Sequence, residues 1–94
     1  MRIFPDDEGK FHFSVLDVKG GLLLVPQFTL FADCAKGRRP EFFGAMAPEK
    51  ATKLFDEFVS VMRSNCSQVE TGVFGADMKV ALENDGPVTI PLEC

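Results

Sequence analysis

The spacing of apolar and polar residues predicts several short strands. Phe11, Phe13 and Val15 alternate with polar neighbours, which is typical of a half-buried strand. Residues 22–32 form a near-continuous apolar run, as expected of a buried central strand. Pro26 interrupts this run, and because proline has no N–H it favours a bulge or an edge at that point. A third, shorter strand is predicted over Val69–Thr71.

A helical period appears over residues 48–63 and predicts the one main helix. Pro48 suits the first helical position, Glu49 the positive end and Arg63 the negative end. Five apolar residues share one helical face, which we expect to pack in the core. They are Ala51, Leu54, Phe55, Phe58 and Met62.

Two further strands are predicted at the end of the chain, over residues 78–83 and 88–92. The Asp85-Gly86 pair between them is typical of a hairpin turn. Pro87 cannot donate to a ladder, so it fits a strand start, an edge or a bulge. A Gly-Pro bond can also be cis, although only about 5–6% of X-Pro bonds in folded proteins are. The residues alone favour an ordinary turn.

Together these elements indicate an α/β (α+β) protein with a mostly antiparallel sheet and one main helix. Ninety-four residues make a single domain, residues 1–94. Hydrophobic residues make up 46% of the chain and ten are phenylalanine, so we expect some apolar surface to meet another subunit. No run reaches the roughly 20 apolar residues of a membrane span, and the acidic start is unlike a signal peptide. We therefore expect a cytoplasmic protein without membrane contact.

The side chains show no catalytic constellation. His12 is the only histidine and is expected at the surface. Cys34, Cys66 and Cys94 form no metal or redox pattern, so they are interpreted as buried or free thiols. No phosphate-binding glycine loop occurs. We expect no metal and no cofactor, and any chemistry would come from backbone groups, from Thr29 or from the substrate.

Four sequence motifs occur in a specific order. They are Pro-Gln-Phe-Thr-Leu at 26–30, Lys-Gly-Arg-Arg-Pro at 36–40, Thr-Gly-Val-Phe-Gly-Ala-Asp-Met at 71–78, and Asn-Asp-Gly-Pro-Val-Thr at 84–89. Together they resemble the D-aminoacyl-tRNA deacylases, also called D-tyrosyl-tRNA deacylases. The resemblance runs through essentially the whole chain.

The resemblance implies a homodimer that hydrolyses the ester between a D-amino acid, or mischarged glycine, and the 3′ end of tRNA. It implies that Gly86-Pro87 is cis and enters the partner's pocket, where main-chain carbonyls select the substrate. It places backbone groups of Gln27, Phe28 and Thr29 beside the ester. It also implies help from the ribose hydroxyl of the tRNA rather than from a protein nucleophile.

Several side-chain roles have ordinary alternatives. Thr29 is interpreted as orienting a water or the ribose, or as a plain strand residue. Phe74 and Met78 are expected to line the pocket for the adenosine or aminoacyl group, or to pack in the core. Pro26 is also placed at the pocket, where the family usually has serine. That difference puts the substrate preference in question.

Lys36, Arg38 and Arg39 form the only basic cluster, in a chain of net charge −4. They are expected to meet tRNA phosphates, or to form a solvated loop. The family's N-terminal block is missing ahead of Met1, so the chain is similar to the C-terminal portion of a deacylase. The alternative function is a non-catalytic remnant that keeps the dimer and RNA-facing surfaces. A plain RNA-binding module is less favoured, because no exposed aromatic repeat suggests base stacking.

Overall fold

The computed structural model describes residues 1–94. They divide into two compact units, one of Met1–Gly20 with Met78–Cys94 and one of Gly21–Asp77. The mixed α/β class with one main helix is confirmed. In chain order the elements are β1 (Arg2–Pro5), β2 (Phe11–Ser14), β3 (Leu22–Leu24), a 3₁₀ helix (Phe28–Phe31), α1 (Pro48–Asn65) and β4 (Val69–Thr71).

The first unit contains an antiparallel hairpin of β1 and β2, in which Pro5 pairs with Phe11. Asp6 organises the turn between them, because its carboxylate accepts hydrogen bonds from the backbone N–H of Glu8 at 2.9 Å and of Lys10 at 3.0 Å. The strand predicted at Phe11 is therefore confirmed, with a partner strand that the polarity pattern did not indicate.

Strand β2 ends at Ser14 because a local side-chain network turns the chain. The Asp17 carboxylate accepts hydrogen bonds from both the backbone N–H and the hydroxyl of Ser14, each at 2.8 Å. The backbone N–H of Asp17 donates back to the Ser14 hydroxyl at 3.2 Å. The hydrogen bond from the Ser14 backbone, followed by that from its hydroxyl, lowers the pKa of Asp17 below its ordinary value.

In the second unit β3 and β4 pair in parallel, with Leu22 opposite Val69 and Leu24 opposite Thr71. The prediction of a strand over Val69–Thr71 is confirmed. The prediction of one strand over residues 22–32 is wrong beyond Leu24. The ladder stops before Pro26, which lacks the N–H that a strand requires, and the chain then winds into the 3₁₀ helix.

Helix α1 begins at Pro48, as predicted, and ends at Asn65 rather than Arg63. The helix continues for two more residues because the side chains of Ser64 and Asn65 donate to the carbonyl of Val61, at 2.7 and 2.8 Å. Cys66 closes the helix by donating its N–H to the Met62 carbonyl at 2.8 Å.

The expectation that one helical face is core needs correction. Leu54 and Phe58 are 54% and 45% exposed, while Val59 is buried at 7% and Cys66 at 6%. The strand that packs against the helix, β4, spans only three residues and covers only part of it. The helix therefore buries Val59 and leaves part of its apolar surface open.

The two strands predicted over residues 78–83 and 88–92 are not formed. Both segments run without regular structure, and the chain bends at Asp85 and Gly86. A strand needs a hydrogen-bonded neighbour, and no backbone hydrogen bond joins residues 79–94 to another segment. Pro87 and Pro91 supply no N–H, which removes two possible ladder donors. Alternating polarity was not enough to predict strands here, because it shows which side chains prefer burial and not whether the backbone has a strand to pair with.

Candidate functional site

An apolar cavity of about 500 Å³ lies in the second unit. This volume is within the range of about 300–1,000 Å³ typical of small-molecule pockets. Its lining residues come from the 3₁₀ helix, the loop before α1, the first residue of α1 and the segment after β4. They are Phe28, Phe42, Ala45, Met46, Ala47, Pro48, Phe74 and Gly75.

Two aromatic rings form one wall of this cavity. The centroids of Phe28 and Phe42 are 5.3 Å apart and the ring planes meet at 71°, an edge-to-face contact. Such pairs contribute about 0.5–1.5 kcal/mol beyond the burial of their area. The contact therefore holds the 3₁₀ helix against the loop before α1 and gives the cavity an apolar, aromatic wall.

Phe28 lies between two residues with polar side chains, Gln27 and Thr29. Gln27 is extended, with φ −150° and ψ 98°, and precedes the first residue of the 3₁₀ helix. Its side-chain amide donates a hydrogen bond to the hydroxyl of Thr29. With that oxygen accepting from Gln27, the Thr29 hydroxyl has its own proton to donate. Thr29 also accepts the N–H of Ala32 through its carbonyl at 3.1 Å.

The basic cluster lies in a closed loop whose two ends are held together. Asp33 and Glu41 form an isolated antiparallel bridge. The N–H of Asp33 donates to the Glu41 carbonyl at 2.7 Å, and the N–H of Glu41 donates to the Asp33 carbonyl at 2.9 Å. We call residues 33–41 the basic loop. The Asp33 side chain also accepts the N–H of Ala35 at 2.9 Å, which bends the chain into the loop.

The three cations of the basic loop are exposed to solvent. Gly37, between Lys36 and Arg38, has φ +93°, a region that L side chains rarely adopt. The structure contains one ion pair, Lys10 with Glu8 at 3.6 Å, so none of the three cations is paired directly with a carboxylate, although Asp33 and Glu41 lie at the ends of the loop. The three cationic groups are therefore available to an anion.

Gly86-Pro87 lies in the first unit. The peptide bond between the two residues is cis, as the resemblance implied. Gly86 has φ +120°, and a Cβ added there would lie 3.3 Å from the Val88 nitrogen. The backbone at residue 86 therefore requires glycine.

The structure brings Phe28, predicted beside the ester, together with Phe74, one of the three predicted pocket residues. Phe28 and Phe74 line the cavity, whereas Pro26 and Met78 are not among its lining residues. The roles assigned to all of these residues stay predictions. Phe42 and Met46 were not predicted from the sequence, since neither has a periodic or charged context. The one available signal for Phe42 was its position directly after the basic loop.

The other chemically active side chains are three cysteines and one histidine. Cys34 and Cys94 are exposed thiols and Cys66 is buried, and none of the three forms a disulfide, as predicted. His12 is exposed, also as predicted, and its ring contacts that of Phe13 at a centroid distance of 4.7 Å. No helix in the structure combines the length and the apolar character that a membrane crossing requires.

Two curated relatives are similar to nearly the whole of this chain. The curated D-aminoacyl-tRNA deacylase of Clostridium perfringens (strain 13 / Type A) is 57% identical over 93 residues, covering 99% of this chain and 62% of the relative. That of Teredinibacter turnerae is 60% identical over 92 residues, covering 98% of this chain and 63% of the relative. The chain thus spans about 62% of the length of the curated relatives it matches.

A solved structure, the c-Myc DNA Unwinding Element Binding Protein, matches with a TM-score of 0.85 and 41% identity, over 99% of this chain and 64% of the other. This chain therefore has the mixed α/β fold of that structure. The family model D-Tyr-tRNA(Tyr) deacylase matches residues 1–93. The chain belongs to this deacylase family.

Proposed function

We propose that this protein hydrolyses the ester bond of D-aminoacyl-tRNA, and of glycine mischarged on tRNA, to give the free amino acid and tRNA. The observation that supports this most is the position of Phe28. It lines the apolar cavity and is flanked by Gln27 and Thr29, the segment that the family places beside the ester. The cavity then takes the apolar part of the substrate next to polar main-chain groups.

The reaction requires stabilisation of the negative charge that develops on the ester oxygen. Fixed donors at that position are worth roughly 3–4 kcal/mol each. The backbone groups of Gln27, Phe28 and Thr29 are the proposed source, with the Thr29 hydroxyl orienting a water or the ribose. The 2′-hydroxyl of the terminal ribose, rather than a side chain, is proposed to assist the attack.

Substrate selection is proposed to rest on Gly86-Pro87. In a homodimer the loop of one subunit would reach the pocket of the other, where main-chain carbonyls hold the substrate's amino group. Glycine supports this role, because an added Cβ would be strained at φ +120° and would crowd the Val88 nitrogen. A selecting group made of backbone excludes an L side chain by shape.

The RNA portion of the substrate is proposed to meet the basic loop. Lys36, Arg38 and Arg39 are exposed and have no carboxylate partner, so each is able to pair with a phosphate. The loop thus gives a chain of net negative charge a local surface that can bind RNA phosphates. A tRNA substrate is also consistent with the proposed cytoplasmic location.

A single-turnover assay tests the proposal. The chain is mixed in excess with tRNA carrying a labelled D-amino acid, and release of the label is followed beside binding of the same tRNA. The matched control is the same substrate ending in 2′-deoxyadenosine. We expect release from the ribose substrate and strongly reduced release from the deoxy substrate. Binding of both substrates without release from either would favour the non-catalytic remnant.

A further inference from the structure

The flanks of the basic loop carry two exposed phenylalanines that the proposed reaction does not use. Phe31 is 64% exposed and Phe43 is 91% exposed. Each lies two residues outside the bridge between Asp33 and Glu41. The bridge therefore holds the two segments that carry Phe31 and Phe43 side by side, where the ends of the basic loop meet.

Local hydrogen bonds define the two turns that carry these rings. Ala45 donates its N–H to the Phe42 carbonyl at 3.0 Å, closing a turn with Phe43 near its tip. Phe31 is the last residue of the 3₁₀ helix, and Ala32 closes that helix by donating to Thr29. A Cβ added to Gly44 would lie 4.0 Å from Cδ1 of Phe31, so the Phe31 ring lies beside the turn that carries Phe43.

The aromatic rings and the cations thus occur on one continuous segment. Arg39 is four residues from Phe43, so their Cα atoms are at most about 14 Å apart. Proteins that bind single-stranded nucleic acid combine such cations with aromatic side chains on which bases stack. A duplex would hide its base faces, whereas unpaired nucleotides expose them.

We infer that Phe31 and Phe43 form a stacking platform for unpaired nucleotides of an RNA strand whose phosphates pair with Lys36, Arg38 and Arg39. The inference rests on the proposed function for its biological ligand, the single-stranded end of a tRNA. The charge of the loop selects a polyanion, and the exposed rings select one with accessible bases.

The test compares two RNA hexamers by fluorescence anisotropy, one normal and one in which every nucleotide is abasic. Both carry the same phosphates, so a difference in affinity reports the bases. We expect the chain to bind the normal hexamer more tightly. Phe31→Leu and Phe43→Leu keep apolar volume but remove the ring. Each should weaken binding of the normal hexamer by about 5- to 150-fold, the range of base stacking on aromatic residues.

Two further readouts separate stacking from charge and from misfolding. Binding of the abasic hexamer and the salt dependence should not change in the leucine variants, because no cation is removed. The control Phe11→Leu removes an equally aromatic, 57% exposed ring from β2 and should leave both affinities unchanged. Circular dichroism of all the variants should match that of the parent chain.

Equal affinity of the parent chain for both hexamers would overturn the inference, as would unchanged binding in both platform variants. The outcome is independent of turnover. If D-aminoacyl-tRNA is not hydrolysed but the normal hexamer is still preferred through Phe31 and Phe43, the platform stands and the proposed function fails. If hydrolysis occurs without a preference between hexamers, the platform alone fails.

Discussion

Removing Arg38 and Arg39 together should flatten the salt dependence of tRNA binding. Both guanidinium groups are exposed and neither has a carboxylate partner, so each is free to displace a counterion from a phosphate. Each phosphate contact contributes about 0.7 to 0.9 to the logarithmic salt slope. The variant Arg38→Ala with Arg39→Ala should therefore lose about 1.4 to 1.8 from that slope.

This change in slope is large enough to measure. If the basic loop makes three phosphate contacts, its contribution to affinity falls about 20- to 40-fold between 50 and 200 mM salt. With Lys36 alone, the same contribution falls only about threefold. Anisotropy titrations of labelled tRNA at four or more salt concentrations give both slopes.

A matched control for these titrations is Lys50→Ala with Lys53→Ala, which removes the same charge from exposed positions on α1. The control should retain nearly the full slope, because it leaves the basic loop intact. An equal change in slope in both double variants would mean that only total charge matters. An unchanged slope in the Arg38 and Arg39 variant would reduce the loop to a solvated turn.

Three further predictions follow from the packing and the backbone. Val59→Ala should lower the free energy of unfolding by about 2 kcal/mol, and Val61→Ala, at a 55% exposed position, by less than about 0.5 kcal/mol; urea titration compares them. Gly86→Ala should reduce the preference for D- over L-aminoacyl-tRNA while leaving tRNA affinity unchanged, and an unchanged preference would refute the role of this loop. Because folding lowers the pKa of Asp17, its ionised carboxylate stabilises the fold at pH values above the ordinary aspartate pKa of about 4. This stabilisation is lost as the pH falls through the lower pKa of the folded state. Thermal unfolding measured from pH 5 to 2 should therefore show that Asp17→Asn lacks this part of the pH dependence of stability.

The main helix was predictable from the sequence because its signals are local. Pro48 at the first turn, Glu49 beside it and the helical period are all properties of one segment. The strands were harder, because pairing depends on distant segments. Pro26 indicated where a strand could be interrupted, but nothing local indicated that the chain would form a 3₁₀ helix over Phe28–Phe31. The depth of burial was also unpredictable, since it depends on how much of the chain covers the helix.

Parts of the candidate site were visible as motifs and other parts were not. The Gln27–Thr29 segment and the basic loop were identified through the resemblance, and the structure adds the bridge that closes the loop. The wall formed by Phe42 and the platform of Phe31 and Phe43 were missed. These residues are apolar positions without a period, and their exposure is decided by turns that only coordinates reveal.

We propose above all that this chain selects the D configuration while it hydrolyses an aminoacyl ester on tRNA. The most direct measurement is the ratio of initial release rates from one tRNA charged in parallel with the D and the L form of the same amino acid. We predict rapid release of the D form and release of the L form at the rate without protein. Equal acceleration of both forms, or no acceleration of the D form by a correctly folded chain, would contradict the account.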